Sequence, residues 1–146
     1  MSTSLYEMMN KYLADQQVMF IKLHNLHWYV EGDAFFTLHA KFEELYDQTA
    51  AIIDEVAERI LALGQMPVAN LRKALQMTSV EELSDQGVNS KEAVCKLAKD
   101  VEYWIRDSKA IVEAAEEARD SVTADLFNGY LGEYQKLAWM LGAFEK

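Results

Sequence analysis

Apolar residues recur at helical spacing over long stretches of this chain, and that period limits the fold more than any other feature. Leu5, Met8, Tyr12, Met19, Leu23, Leu26 and Val30 follow it up to Gly32. Leu38, Phe42, Leu45, Thr49, Ile53, Val56 and Ile60 repeat it up to Gly64, just ahead of Met66-Pro67. Val94, Leu97, Val101, Trp104, Ile105, Ile111 and Val112 mark a third segment, which fades into the acidic stretch 113–120. Leu126, Phe127, Tyr130, Leu131, Tyr134, Leu137, Leu141 and Phe144 mark a fourth. The first two helices, at about 25–30 residues each, are long for a globular protein. One proline and six glycines in 146 residues leave such helices uninterrupted.

Start signals divide the pattern. Ser4-Leu-Tyr-Glu7 reads as a capping box, so the first helix is expected to begin almost at once, with no flexible arm before Ser4. Asp33 is the expected N-cap of the second helix and Ser90 of the third, while the last begins near Ser121. Between Pro67 and Ser90 the period breaks. A short helix is expected around 70–77, the box Thr78-Ser-Val-Glu81 allows another, and 84–90 is polar. A short link between the first two helices implies an antiparallel hairpin, and a long crossover frees the direction of the third. The expectation is an all-α, ferritin-like four-helix bundle with a short helix in the crossover between helices 2 and 3. The length suits a single domain, 1–146.

The formal charge of −10 argues against a nucleic-acid groove or an anionic membrane surface, and suits attraction of cations. One cysteine, Cys95, excludes an internal disulfide and a Cys-type zinc site; it is expected as a small buried apolar residue in a reducing compartment. No apolar run approaches the ~18 residues of a membrane span, and no basic-then-apolar leader opens the chain. A cytoplasmic protein without membrane association is expected.

All three histidines, His24, His27 and His39, fall within residues 23–59, together with Glu43, Glu44, Asp47, Asp54, Glu55 and Glu58. On the second helix, taking His39 as zero, the core residues lie at about −40° to −100°. His39, Glu43, Asp47, Asp54 and Glu58 lie between about 0° and +100°, a stripe beside the core that holds no lysine. Helical carboxylates are usually just solvated, and His24 by itself reads as a polar or supporting residue. The missing lysines favour a site. His39 and Asp54 are separated by roughly 22 Å along the axis, so one helix cannot bring both to one ion. Two copies packed antiparallel about a dyad near Asp47–Gln48 can, with two equal sites as the result. His27 could complete the shell from the His39 side. Imidazole mixed with carboxylate suits Fe(II), Mn(II) or Zn(II) better than Ca(II) or Mg(II). The Glu-x-x-His pairs of a di-iron centre inside one bundle are absent.

His27-Trp-Tyr-Val-Glu-Gly, Phe35-Phe-Thr-Leu-His39 and Asp54-Glu-Val-Ala-Glu58-Arg closely resemble the signature of the Dps family of mini-ferritins, and the helix layout is similar over essentially the whole chain. The resemblance implies a hollow shell of twelve subunits built from two-fold dimers. In it Fe(II) is oxidised at inter-subunit sites, preferentially by hydrogen peroxide, and stored as ferric mineral, with iron as the metal and no organic cofactor. His27 and His39 would be ligands from one subunit, and Asp54 and Glu58 ligands from its mate. Glu43 stands where relatives usually carry aspartate near a second metal position. Trp28 would match an aromatic that intercepts radicals, and Asp47 is a candidate supporting residue. Glu116, Asp120 and Asp125 match the acidic lining of the family's three-fold pores, with Ser121 a departure from the acidic pattern. DNA-binding relatives use a basic tail; none precedes Ser4, and the end, Ala143-Phe-Glu-Lys146, supplies none, so direct DNA binding is not expected. The alternatives are a non-enzymatic, DNA-compacting shell with incidental metal sites, and a helical bundle that binds no metal.

Overall fold

The structure is a computed structural model describing residues 4–146; the expected absence of an arm before Ser4 concerns residues outside those described. Among the described residues the order is α1 (Leu5–Tyr29), β1 (Val30–Glu31), α2 (Phe35–Ala62), α3 (Leu71–Met77), β2 (Val88–Asn89), α4 (Ser90–Glu117) and α5 (Ser121–Phe144). The four long helices stand where the apolar period places them, and the short crossover helix falls within the expected 70–77. The chain divides into two compact units, one spanning Tyr6–Ala93 and the other holding Val94–Lys146.

In the first unit, α1 ends at Tyr29, short of Gly32, because Val30 and Glu31 leave the helix and pair in parallel with Val88 and Asn89. Gly32 turns the chain at φ +107°, where a side chain would be strained, and its carbonyl accepts from Phe35 N–H at 3.0 Å. The expected cap of α2 is corrected here. The N-cap is Ala34 rather than Asp33, and it makes no side-chain cap bond, since the turn closes through backbone alone. At the other end Gly64 (φ +83°) permits paired closing bonds, Gly64 N–H to Leu61 C=O and Gln65 N–H to Ile60 C=O. Leu38, Phe42, Leu45, Thr49, Val56 and Ile60 are buried on α2, as their spacing requires.

Polar side chains of α1 tie down the crossover. Asn10 donates to Met66 C=O and accepts from Val68 N–H, and Gln17 donates to Val68 C=O. Asp15, fully buried, accepts from Lys11 Nζ, the Thr78 hydroxyl and Ser79 N–H. Those bonds explain why Thr78-Ser-Val-Glu81 starts no helix. The Thr78 hydroxyl, which also accepts from Val80 N–H, is committed to Asp15, and Thr78 closes α3 instead. α3 itself is capped by Asn70, whose side chain accepts from Lys73 N–H. A second correction falls at α4. Asn89, not Ser90, caps it by accepting from Glu92 N–H, while the Ser90 hydroxyl donates to Glu31 C=O.

In the second unit, Trp104 of α4 stacks on Tyr134 of α5, with centroids 6.0 Å apart. Cys95 is exposed rather than buried, because the inward positions of this turn are Ala93, Val94 and Leu97. α4 closes through Arg119, a non-glycine at φ +59°, with Asp120 N–H bonded to Ala115 C=O. Asp120 then caps α5. Its Oδ1 accepts from Thr123 N–H and its Oδ2 from the Thr123 hydroxyl. No helix among the described residues is long and apolar enough to cross a membrane.

Candidate metal centre

α1 and α2 meet antiparallel: as numbers fall from His27 to Phe20 on α1, the ring partners on α2 rise from His39 to Tyr46. This register brings two histidines twelve positions apart into a stack, with ring centroids at 3.7 Å and planes 13° apart. Each ring is bonded to the other residue's backbone. His27 Nδ1 donates to His39 C=O at 2.6 Å, and His39 Nδ1 donates to His27 C=O at 2.7 Å. A carbonyl oxygen only accepts, so each neutral ring carries its proton on Nδ1 and leaves the Nε2 lone pair bare. That is the arrangement of a histidine held ready for a metal, with its other nitrogen fixed by a backbone acceptor.

His27 is buried and His39 half-buried, so the pair sits at the bottom of the stripe rather than on an open surface. Glu43 Oε1 stands 3.8 Å from His27 Nε2. That is too long for a hydrogen bond, but two metal–ligand bonds of about 2.1 Å can span it. Asp47, Asp54 and Glu58 are all exposed further along α2. Among the described residues, no three His, Cys, Asp or Glu side chains of one chain are grouped closely enough to hold an ion. The structure therefore stacks His27 on His39 and sets Glu43 near His27, short of a group that holds an ion by itself, with Asp54 and Glu58 further along the helix that carries His39.

His24 lies about one helical turn ahead of His27 on α1. Its Nδ1 donates to Phe20 C=O at 2.7 Å, and its ring lies on Tyr46 at 3.8 Å and 17°. Tyr46 in turn meets His27 at 5.3 Å, nearly perpendicular at 89°. Burial, then the charges of Glu43 and Asp47, push the Tyr46 phenol above its ordinary range, so it stays protonated. The apolar period alone passes over Tyr46. It lies seven positions beyond His39, two helical turns on and so on nearly the same face, and that spacing was the available signal. Phe35 stacks on the outer side of His39 at 5.0 Å. Trp28, 66% exposed, leans on His24 at 5.3 Å. In the second unit Glu116 and Asp125 are exposed, whereas both oxygens of Asp120 are engaged by Thr123.

A family model described as a ferritin-like domain matches residues 6–145. The DNA protection during starvation protein 2 of Bacillus anthracis is 46% identical over 144 residues, covering 99% of this chain and 98% of that one. A Dps crystal structure from Bacillus brevis superposes with a TM-score of 0.93 at 37% identity, covering all of both chains. The Dps of Listeria innocua, in crystals soaked with cobalt, gives 0.95 at 33% identity over 98% of this chain and 92% of that one. The fold is thus the ferritin-like four-helix bundle, and the chain belongs to the Dps family of ferritin-like proteins.

Proposed function

We propose that this protein is an iron-detoxifying and iron-storing mini-ferritin, a ferroxidase whose sites form between two copies of the chain. The observation that carries the proposal is the reciprocal His27–His39 lock, which engages both Nδ1 atoms and leaves both Nε2 atoms out of those bonds, that of His27 3.8 Å from Glu43. Bare imidazole nitrogens with carboxylate oxygens suit Fe(II). Asp54 lies fifteen residues from His39, roughly 22 Å along α2, so a partner's Asp54 and Glu58 complete the set across a two-fold axis. Fe(II) is the substrate. Two Fe(II) ions each give one electron to hydrogen peroxide, whose O–O bond breaks and, with two protons, yields two waters and two Fe(III). The ferric product collects as mineral in the cavity of a shell of twelve subunits.

The protein supplies position and charge rather than redox chemistry. Glu116 and Asp125, with Asp120 as a charged but hydrogen-bonded neighbour, are the proposed pore lining that draws Fe(II) inward. Asp47, exposed one turn beyond Glu43, extends the negative path. The chain is read as one domain acting in the cytoplasm, without an organic cofactor. Replacing His39 and Asp54 together, by Ala and Asn, is expected to abolish rapid peroxide-dependent Fe(II) oxidation while the assembly stays intact. Unchanged oxidation kinetics in that double variant would refute the assignment.

A further inference from the structure

We infer that Tyr46, held in place by His24, is a positioning residue for the His27 ligand; the inference rests on the metal-site reading above. The Nδ1 bond to His39 C=O is the hydrogen bond that sets the turn of the His27 ring about Cβ–Cγ. Rotation about Cβ–Cγ would break that bond and swing Nε2 away from Glu43. Two neighbours oppose it. His39 covers one face at 3.7 Å, and Tyr46 stands perpendicular to the ring at 5.3 Å. A parallel contact opposes tilting of the ring and an edge contact opposes its sliding, so the two restrain different motions. Tyr46 is restrained in turn. His24 stacks on it at 3.8 Å, and Phe20 meets it edge-on at 6.1 Å. The His24 ring is fixed by its own bond to Phe20 C=O, so the restraint runs back to the α1 backbone. This gives the third histidine, which no metal ligation accounts for, a defined task.

The roles separate experimentally with Co(II) as the probe on the assembled protein. Tyr46→Leu removes the perpendicular ring and is expected to weaken Co(II) binding about 10-fold, with a changed visible spectrum of the bound ion. Tyr46→Phe keeps the ring and is expected to restore affinity to within about two-fold and the spectrum with it. Assembly size and melting temperature are followed alongside. Should Tyr46→Leu fail to assemble, His24→Leu takes its place, since it releases Tyr46 without removing it, and a loss of at least about three-fold is expected. His39→Ala serves as the control for the site itself. Loss of binding in His39→Ala with wild-type affinity and spectrum in Tyr46→Leu, or in its substitute, would overturn the positioning role alone. Equal weakening by Tyr46→Phe and Tyr46→Leu would also overturn it. Undiminished binding in His39→Ala would overturn the site, and the inference with it.

Discussion

His27 and His39 each do two jobs in the proposed site, offering Nε2 as a ligand and closing a hydrogen bond to the other's backbone. Removing either therefore deletes a donor atom and unfastens its partner. His27→Ala and His39→Ala are each expected to slow peroxide-dependent Fe(II) oxidation by more than the roughly 10–100-fold typical of losing a supporting group alone. Stopped-flow absorbance of the ferric product measures it, and a loss below about 10-fold would contradict the lock. At this scale the sequence identifies donors better than supports. Spacing along one helix singles out His39, Glu43, Asp47, Asp54 and Glu58, and His27 joins them from the preceding helix. Tyr46 and His24 acquire their roles from the register between two helices, which no single period contains. Cys95 escapes for a similar reason, because its outward face follows from which neighbours turn inward.

Among the elements, the long helices follow directly from their apolar period, and the joints between them do not. The crossover is set by side chains distant in sequence. Asp15 holds Thr78 and Ser79 across 63 and 64 positions, and this overrides the local capping signal at Thr78. Asp15→Ala would leave the Lys11 ammonium, a hydroxyl and a backbone N–H without this acceptor in a buried setting. A loss of roughly 3 kcal/mol is expected, read by chemical denaturation. A loss under about 1 kcal/mol would show that water replaces the carboxylate there. The two-residue pairing of β1 with β2 gives no signal at so short a length. At the end of α4, Arg119 adopts a left-handed conformation that glycine accepts more readily. Arg119→Gly is expected to raise stability by up to about 1 kcal/mol, seen as a higher melting temperature.

For the whole molecule, net charge decides what binds. At −10 per chain the protein repels phosphate, so no retardation of duplex DNA is expected at about 0.15 M salt. Salt-sensitive retardation would instead favour the DNA-compacting reading. In the proposed dimer neither chain owns a complete site, and complementation between two inactive variants decides it. One variant carries His27→Ala with His39→Ala, and the other carries Asp54→Asn with Glu58→Gln. Each is inactive alone if all four residues serve the site. In a two-fold mixed dimer, one site loses everything while the other receives native histidines from one chain and native carboxylates from the other. Co-assembly from equal amounts of the two is therefore expected to recover about a quarter of the wild-type rate of peroxide-dependent Fe(II) oxidation. No recovery in properly mixed assemblies would contradict a shared site.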